Sequence, residues 1–167
     1  ISSVDRSMPD KLVSNRKIKG LMSGDELVGI DYRPKDGKLY AVGLQGNLYT
    51  LNPNNGEAIF LRKLIADPSD TTDGNASFTQ IMGDANLITV NFNPAADRLR
   101  VISNTGQNLR INVDTGATIT DGTINLATGS AAVVAGAYTN AFAGTGSTKL
   151  YSIDQNSDRI YLQNANA

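Results

Sequence analysis

The chain has 167 residues, with 15 basic and 16 acidic side chains and a formal net charge of −1. This near balance produces no overall field that would recruit nucleic acid or an anionic membrane surface. The sequence has no cysteine and no histidine, which excludes disulfides, thiol nucleophiles, a Ser-His-Asp triad, and imidazole or thiolate ligands for a metal.

The predicted elements are short strands rich in Val, Ile, Leu and Tyr, separated by turns that contain Gly, Asn, Asp or Pro. Residues 1–20 contain two predicted strands around the segment RSMPD. The strands predicted next cover residues 27–32, 38–44, 47–52, 57–64, 87–92, 98–103, 108–113 and 117–124. Residues 133–164 contain a last, partial set, including AVVAGAYT and KLYSIDQNSDRIYL. Because no window shows the apolar period of a helix, we predict an all-β fold.

An internal repeat organises these strands. Shifted by sixty positions, Leu27–Phe60 falls on Leu87–Thr120 without a gap, so that apolar residues meet apolar residues and turn residues meet turn residues. The later segment 149–162 is similar to 47–60, the third and fourth strands of the first unit. Repeats of four short strands are typical of a β-propeller, with one blade for each repeat.

We therefore predict a β-propeller-like array of four-stranded antiparallel blades, incomplete and open, in preference to a closed sandwich. The predicted units are a partial blade at 1–20, whole blades at 27–64 and 87–124, a loop at 66–86, and a partial blade at 133–164.

The predicted loop between the two whole blades is acidic and poor in apolar residues. Four of its side chains could offer oxygen ligands to calcium, namely Asp67, Asp70, Asp73 and Asn75. Their spacing does not match the EF-hand pattern, and a solvated loop without a metal is the alternative interpretation. We expect no other cofactor.

A second group of polar side chains follows the turn that precedes the second strand of the second unit. Arginine forks can hold carboxylate or phosphate groups, and side-chain amides can bind hydroxyls. The candidate ligand-binding residues are Asp97, Arg98, Arg100, Asn104, Gln107, Asn108 and Arg110. In the alternative interpretation, the aspartates close turns while the arginines pair across strands or between blades.

Several motifs give the chain a resemblance to the bacterial family called domain of unknown function 4394. They are LVGIDYRP, LYAVGLQGNLYTLNPNNG, FNPAADRLRVISNTGQNLRINVDTG, AYTNAFAG and TKLYSIDQNSDRIYLQN. The resemblance implies a secreted or surface protein with propeller-type repeats and no established activity. It also implies that the chain is a partial copy, shorter than family members at both ends.

The expected function is that of a non-enzymatic extracellular or cell-surface module, binding or structural, with a protein, a surface polymer or another copy of itself as partner. Open sheet edges favour such association. The alternative is a propeller-type hydrolase or lyase with its site in the central channel, which would need blades that this chain lacks. No apolar run approaches the roughly 20 residues that a membrane-spanning helix requires.

Overall fold

The computed structural model describes residues 1–70, 77–126 and 129–163. These residues form fourteen strands and a single turn of 3-10 helix at Ala85–Leu87, which confirms the all-β prediction. The strands belong to separate sheets of two to five strands, none of which closes on itself. Such an open arrangement is consistent with a propeller-like array.

A hairpin and three sheets follow one another along the chain. The N-terminal hairpin pairs β1 (Ser2–Asp5) with β2 (Met8–Asn15). The first sheet contains, in spatial order, β3 (Leu27–Tyr32), β4 (Leu39–Gly43), β5 (Asn47–Asn52) and β6 (Glu57–Lys63). The second sheet contains β7 (Ile65–Ala66), β8 (Ile88–Asn93), β9 (Arg98–Ser103), β10 (Asn108–Ile111) and β11 (Ala117–Thr120), with β7 outermost beside β11. The third sheet contains β12 (Val133–Tyr138), β13 (Leu150–Asp154) and β14 (Arg159–Leu162).

The first and second sheets have the same strand order and the same register. Leu39 lies opposite Leu51 in the first sheet, and Leu99 lies opposite Ile111 in the second. Each of these residues is displaced from its counterpart by sixty positions, which is the offset of the sequence repeat. Register is fixed here because a slip of one residue would turn every apolar side chain to the other face.

Each sheet packs face to face on the next, and alternation along the strands divides its side chains between two faces. We call the face toward the following sheet the downstream face and the opposite one the upstream face. The largest core lies between the first two sheets and includes Tyr40, Val42, Leu48, Val90, Phe92, Leu99, Val101, Leu109 and Ile111. A smaller core, between the second and third sheets, includes Ile102, Val133 and Leu150.

The first two sheets lie close together at Gly29. A Cβ atom built on this residue would lie 2.5 Å from Cγ2 of Val90, a distance that a van der Waals contact does not permit. Glycine is needed at this point of β3 because the neighbouring sheet occupies the space that a side chain would take.

A hydrogen bond between sheets recurs at equivalent positions. Asp31 accepts from the backbone N–H of Phe92 through its Oδ2, at 2.7 Å. Asn91, sixty positions later, accepts from the backbone N–H of Tyr138 through its Oδ1, at 2.9 Å. In both cases a polar side chain of the first strand of one sheet fixes the first strand of the next sheet.

Residues 66–70 and 77–86, the described parts of the segment predicted as a loop over 66–86, contain strand residues and buried side chains. Ala66 belongs to β7, which runs parallel to β11 and pairs with it through Thr118. Further along, Phe78 and Ile81 are buried in the core between the first two sheets. Two apolar side chains are therefore enough to anchor this connection, although its composition is mostly polar.

The third sheet contains the segment 149–162, which is similar in sequence to 47–60. In the first sheet 47–60 lies in the third and fourth strands, β5 and β6, whereas β13 pairs directly with β12, through Tyr138 and Leu150, so that β13 and β14 are the second and third strands. Short strands of similar composition do not reveal their position in a sheet; only the pairing partners do.

Candidate functional site

The polar side chains of the predicted site divide into three groups, and the first centres on a residue that the sequence analysis did not select. Arg33, just after β3, is only 4% exposed. Its Nε and Nη2 donate to the two carboxylate oxygens of Asp97, at 2.7 and 2.6 Å. Its Nη1 and Nη2 donate to the two carboxylate oxygens of Asp114, both at 2.8 Å. One guanidinium of the first sheet thus holds two carboxylates of the second.

The electrostatics of this group, which we call the Arg33 clasp, follow from these contacts. The bidentate bonds from Arg33 lower the pKa of Asp97 to about 2, with Lys35 contributing at 3.1 Å. They also hold the pKa of Asp114 below its usual value, and the two carboxylates raise the pKa of Arg33. Paired forks of this kind are among the strongest hydrogen bonds in proteins. The Arg33 clasp therefore links the first sheet to the second, and its charged groups bond to one another.

The second group, the Arg100 cluster, lies on the downstream face of the second sheet. Arg100 and Arg110 are directly opposite each other on β9 and β10, so the two arginines do converge. Arg100 donates to Asp121 at 2.5 Å and to Asn108 at 2.7 Å, and Arg110 donates to Asp121 at 2.9 Å. Asp121 supplies the only carboxylate in these bonds, and it accepts hydrogen bonds from both guanidinium groups.

Contact with the third sheet completes the Arg100 cluster. Nε of Arg100 donates to the hydroxyl of Tyr138 at 3.3 Å. Burial opposes the charged form of Arg100, but Tyr138 and Asp121 outweigh it and raise the pKa of the guanidinium. The side chain of Arg110 is 42% exposed, yet its Nε is buried and makes no hydrogen bond. The cluster orients Arg100 rigidly and leaves Arg110 partly open to solvent.

The third group connects turns to one another. Gln107 accepts from the backbone N–H of Met82 and donates to the carbonyl of Gln80, both at 2.9 Å. Asn104 accepts from the backbone N–H of Asp84 at 3.2 Å. These amides fasten the segment before β8 to the turn between β9 and β10, which is a structural use of both side chains.

Among the described residues, the side chain of Arg98 makes its hydrogen bonds within its own turn, where Nη1 donates to the carbonyl of Asp97 at 3.0 Å and to that of Ala96 at 3.4 Å. The seven predicted residues therefore do not surround one common ligand. Asp97 and Asn104 bracket β9 and so lie at opposite ends of that strand, roughly 20 Å apart at the usual rise per residue.

Of the four residues predicted to bind calcium, Asp73 and Asn75 lie outside the described residues. Asp67 accepts from the backbone N–H and the hydroxyl of Ser69, at 2.9 and 2.7 Å, and these bonds lower its pKa. Asp70 accepts from the backbone N–H of Thr120 at 3.0 Å. Within residues 1–70, 77–126 and 129–163, no three acidic side chains come close enough together to hold a metal ion.

Two residues that complete these groups, Arg33 and Asp121, were missed by the sequence analysis. Arg33 lies in the motif YRPKDG, whose proline and glycine indicated a turn. Its partners are 64 and 81 positions away in the sequence. Asp121 directly follows β11, within a segment that was predicted to be strand.

The family model described as "Domain of unknown function (DUF4394)" matches residues 1–167. The chain belongs to this family. Comparison with curated proteins gave no match. Among the described residues there is no helix that is both long and apolar enough to cross a membrane.

Proposed function

We propose that this member of the DUF4394 family is a non-enzymatic structural module that associates with other copies of itself outside the cell. In this proposal the sheets are blades of an open propeller-like array. The extracellular or cell-surface location is part of the proposal and is supported by the resemblance to secreted bacterial proteins.

The proposal rests on the exposed apolar side chains of the downstream face of the third sheet. Tyr151 lies opposite Leu162, and Ile153 lies opposite Ile160, so that the four side chains form adjacent rows on two strands. They are between 40% and 69% exposed. Contiguous exposed apolar side chains of this kind mark interaction surfaces.

The packing within the chain supports a second copy as the partner. The downstream faces of the first and second sheets are each covered by the upstream face of another antiparallel sheet of the same repeat type. A sheet of this family is therefore the kind of surface that matches the free face. At the other end of the array, Ile30 and Tyr32 are 43% and 52% exposed on the upstream face of the first sheet.

The polar groups support a structural role rather than a catalytic one. The carboxylates of the Arg33 clasp and the Arg100 cluster are bound to guanidinium groups of the same chain. Their hydrogen bonds hold sheets and strands in place, which is the use expected of polar side chains in a packed interior.

Sedimentation velocity over a range of protein concentrations tests the proposal. We expect concentration-dependent oligomers for the unchanged chain and monomers for Ile153→Lys, because a charge at the centre of the apolar face opposes its burial. Met82→Lys, at a residue that is 47% exposed in another part of the molecule, is the matched control and should leave association unchanged. A monomeric unchanged chain at high concentration would rule the proposal out.

A further inference from the structure

A groove beside β14 corresponds in position to the strand that follows the third one in each of the other two sheets, β6 and β11. In the first sheet β5 pairs with β6, and in the second sheet β10 pairs with β11. β14 is the third strand of its sheet, and among the described residues it pairs only with β13. Alongside β14 lies a groove, which we call the β14 groove. It is bounded by Ile124 and Leu126 on one side and by Tyr161 and Gln163 on the other, and it extends over Val133 of β12 and Ser152 of β13.

The far wall of the β14 groove also matches the other sheets. Before the second sheet, Leu64 donates its backbone N–H to the carbonyl of Gly46, and the chain then continues into β7 beside β11. Before the third sheet, Ile124 donates to the carbonyl of Gly106 in the same way. Ile124 is thus sixty positions after Leu64 and makes the equivalent bond. From this equivalence we expect the segment that follows Ile124 to correspond to β7, and part of the groove to correspond to the space that β11 fills in the second sheet.

The backbone of β14 is oriented to receive a strand. Gln163 donates its backbone N–H to the carbonyl of Leu150 on β13. Because antiparallel strands alternate the direction of their backbone groups, Ile160 and Leu162 direct their N–H and C=O groups to the free edge. Unpaired edges of this kind are sites at which an extended peptide can add as a further strand.

Two buried polar atoms in the groove have no hydrogen-bond partner within the part of the chain that the structure describes. They are Oγ of Ser152, in a residue only 4% exposed, and Oε1 of Gln163. At the equivalent positions the second sheet has Val101 and Ile111, both buried and apolar. A buried acceptor without a donor costs free energy. These two polar residues therefore distinguish the β14 groove from the corresponding space in the second sheet, which an apolar pair lines.

We propose that the β14 groove binds an extended strand of another polypeptide, added antiparallel to β14, with a serine or threonine facing inward opposite Gln163. The site extends the proposed function, on which it rests, by adding a second mode of association at the strand edge. In the second sheet the residue opposite Ile111 is Thr118, which is fully buried. A small side chain thus fits this place, and its hydroxyl would donate to Oε1 of Gln163.

A synthetic peptide with the sequence of residues 112–120, NVDTGATIT, is the probe. Its affinity for the 167-residue chain is measured by fluorescence anisotropy, beside a matched peptide in which the threonine at position 118 is replaced by valine. We expect saturable binding, with the threonine peptide about tenfold tighter, the effect of one buried hydrogen bond. In Gln163→Leu this preference should be lost or reversed, and Ser3→Ala, on the edge strand of the N-terminal hairpin, is the control.

Amide hydrogen exchange locates the peptide independently of these substitutions. We expect the exchange of the Ile160 and Leu162 amides to slow on addition of peptide, while the amides of β1 are unchanged. The proposal is overturned if these amides remain unprotected at saturating peptide, or if both peptides bind the unchanged chain equally. It is also overturned if the peptide binds only to a chain shortened to end at Gln163, since the groove would then belong to the chain's own last residues.

The peptide-binding experiment and the sedimentation test of the proposed function can each fail without the other. Ile153 lies on the face of the third sheet, whereas the peptide binds at its edge. Association that Ile153→Lys abolishes, together with absent peptide binding, would remove only the inference about the groove. Peptide binding by a chain that stays monomeric would remove only the self-association.

Discussion

Between the first and second sheets, the guanidinium of Arg33 reaches across the interface to two carboxylates, those of Asp97 and Asp114. Between the second and third sheets, Arg100 and Arg110 instead share Asp121, which belongs to their own sheet, and only the hydroxyl of Tyr138 comes from the opposite side. The first interface is cross-linked by ion pairs. Among the described residues, the second interface has a smaller apolar core and is crossed by hydrogen bonds to uncharged groups, such as the one from Arg100 to the Tyr138 hydroxyl.

The two interfaces nevertheless share the backbone contact made by Asp31 in one and Asn91 in the other. The repeat therefore specifies how the first strand of each sheet docks on the next, while the ionic contacts are particular to each interface. We expect the third sheet to separate from the array under milder conditions than the first two separate from each other.

Of the substitutions considered, Arg33→Met should reduce the stability of the first interface most. The substitution keeps much of the side chain's volume but removes the guanidinium bonds of Asp97 and Asp114, and leaves Asp97 with Lys35 as its cationic partner. Because breaking a fully buried pair costs about 3 to 5 kcal/mol and these carboxylates keep some contact with solvent, we expect the free energy of unfolding to fall by about 3 kcal/mol. Urea denaturation followed by circular dichroism measures the change.

The matched control for Arg33→Met is Arg110→Met. Arg110 is partly exposed, and Asp121 keeps its bond to Arg100 when Arg110 is replaced, so the expected loss is below about 1 kcal/mol. Equal losses in the two variants would show that the Arg33 clasp does not dominate the first interface.

Gly29→Ala tests the steric difference between the interfaces. The new Cβ would lie 2.5 Å from Cγ2 of the buried Val90, and overpacking of this kind costs about 1 to 3 kcal/mol. The equivalent residue in the second sheet is Thr89, whose side chain fits against the third sheet and donates to the carbonyl of Gly136 at 3.4 Å. Thr89→Ala should therefore cost less than Gly29→Ala when both are measured by thermal unfolding. The reverse order would contradict the steric conflict expected between a side chain at position 29 and Val90.

The strands could be predicted from the sequence, whereas the contacts between sheets could not, and the reason is physical. Strand positions depend on alternation and on turn residues that are close together in the chain, as at the turn before Gly46. The bonds of Arg33 join residues more than sixty positions apart, and nothing local in YRPKDG indicates them. A short turn joins β9 and β10, so the sequence placed Arg100 and Arg110 on neighbouring strands, but it did not fix the register that brings the two residues opposite each other.

The predicted ligand site failed to form one cluster for a related reason. Asp97 and Gln107 lie close in sequence, but they flank opposite ends of the β9–β10 pair, so the strand length separates them. Sequence proximity along a hairpin is a poor guide to spatial proximity, except for residues that face each other across the strands.

Acid should weaken the first interface by a measurable amount. The pKa of Asp97 in the folded protein is about 2, below its ordinary value of 3.8. A lowered pKa stabilises the folded state above the ordinary value, and this contribution, on the order of 2 kcal/mol, is lost as the pH falls through the folded pKa. Urea denaturation between pH 5 and pH 2 should show the loss in the unchanged chain. In Arg33→Met the corresponding loss should be much smaller, and an unaltered pH dependence would assign it to other carboxylates.

The smallest expected effect concerns the contact that the two interfaces share. Burial raises the pKa of Asp31, more than the hydrogen bonds from Phe92 and Tyr32 lower it. A raised carboxyl pKa means that ionisation is disfavoured in the folded state, so its contribution to stability declines as the pH rises through the ordinary value. Asp31→Asn keeps an acceptor for Phe92 without a buried charge, and should increase stability at pH 7 by less than about 1 kcal/mol.

The reciprocal substitution, Asn91→Asp, sharpens this last prediction. It places a carboxylate where the second interface has an amide bound to Tyr138, so it should reduce stability at pH 7 and restore it near pH 3, where the carboxyl is protonated. The gain from Asp31→Asn should disappear over the same range. If Asp31→Asn instead lowers stability at pH 7, the bond from Phe92 to an ionised acceptor outweighs the cost of burying the charge, and the two interfaces differ even at the contact that they share.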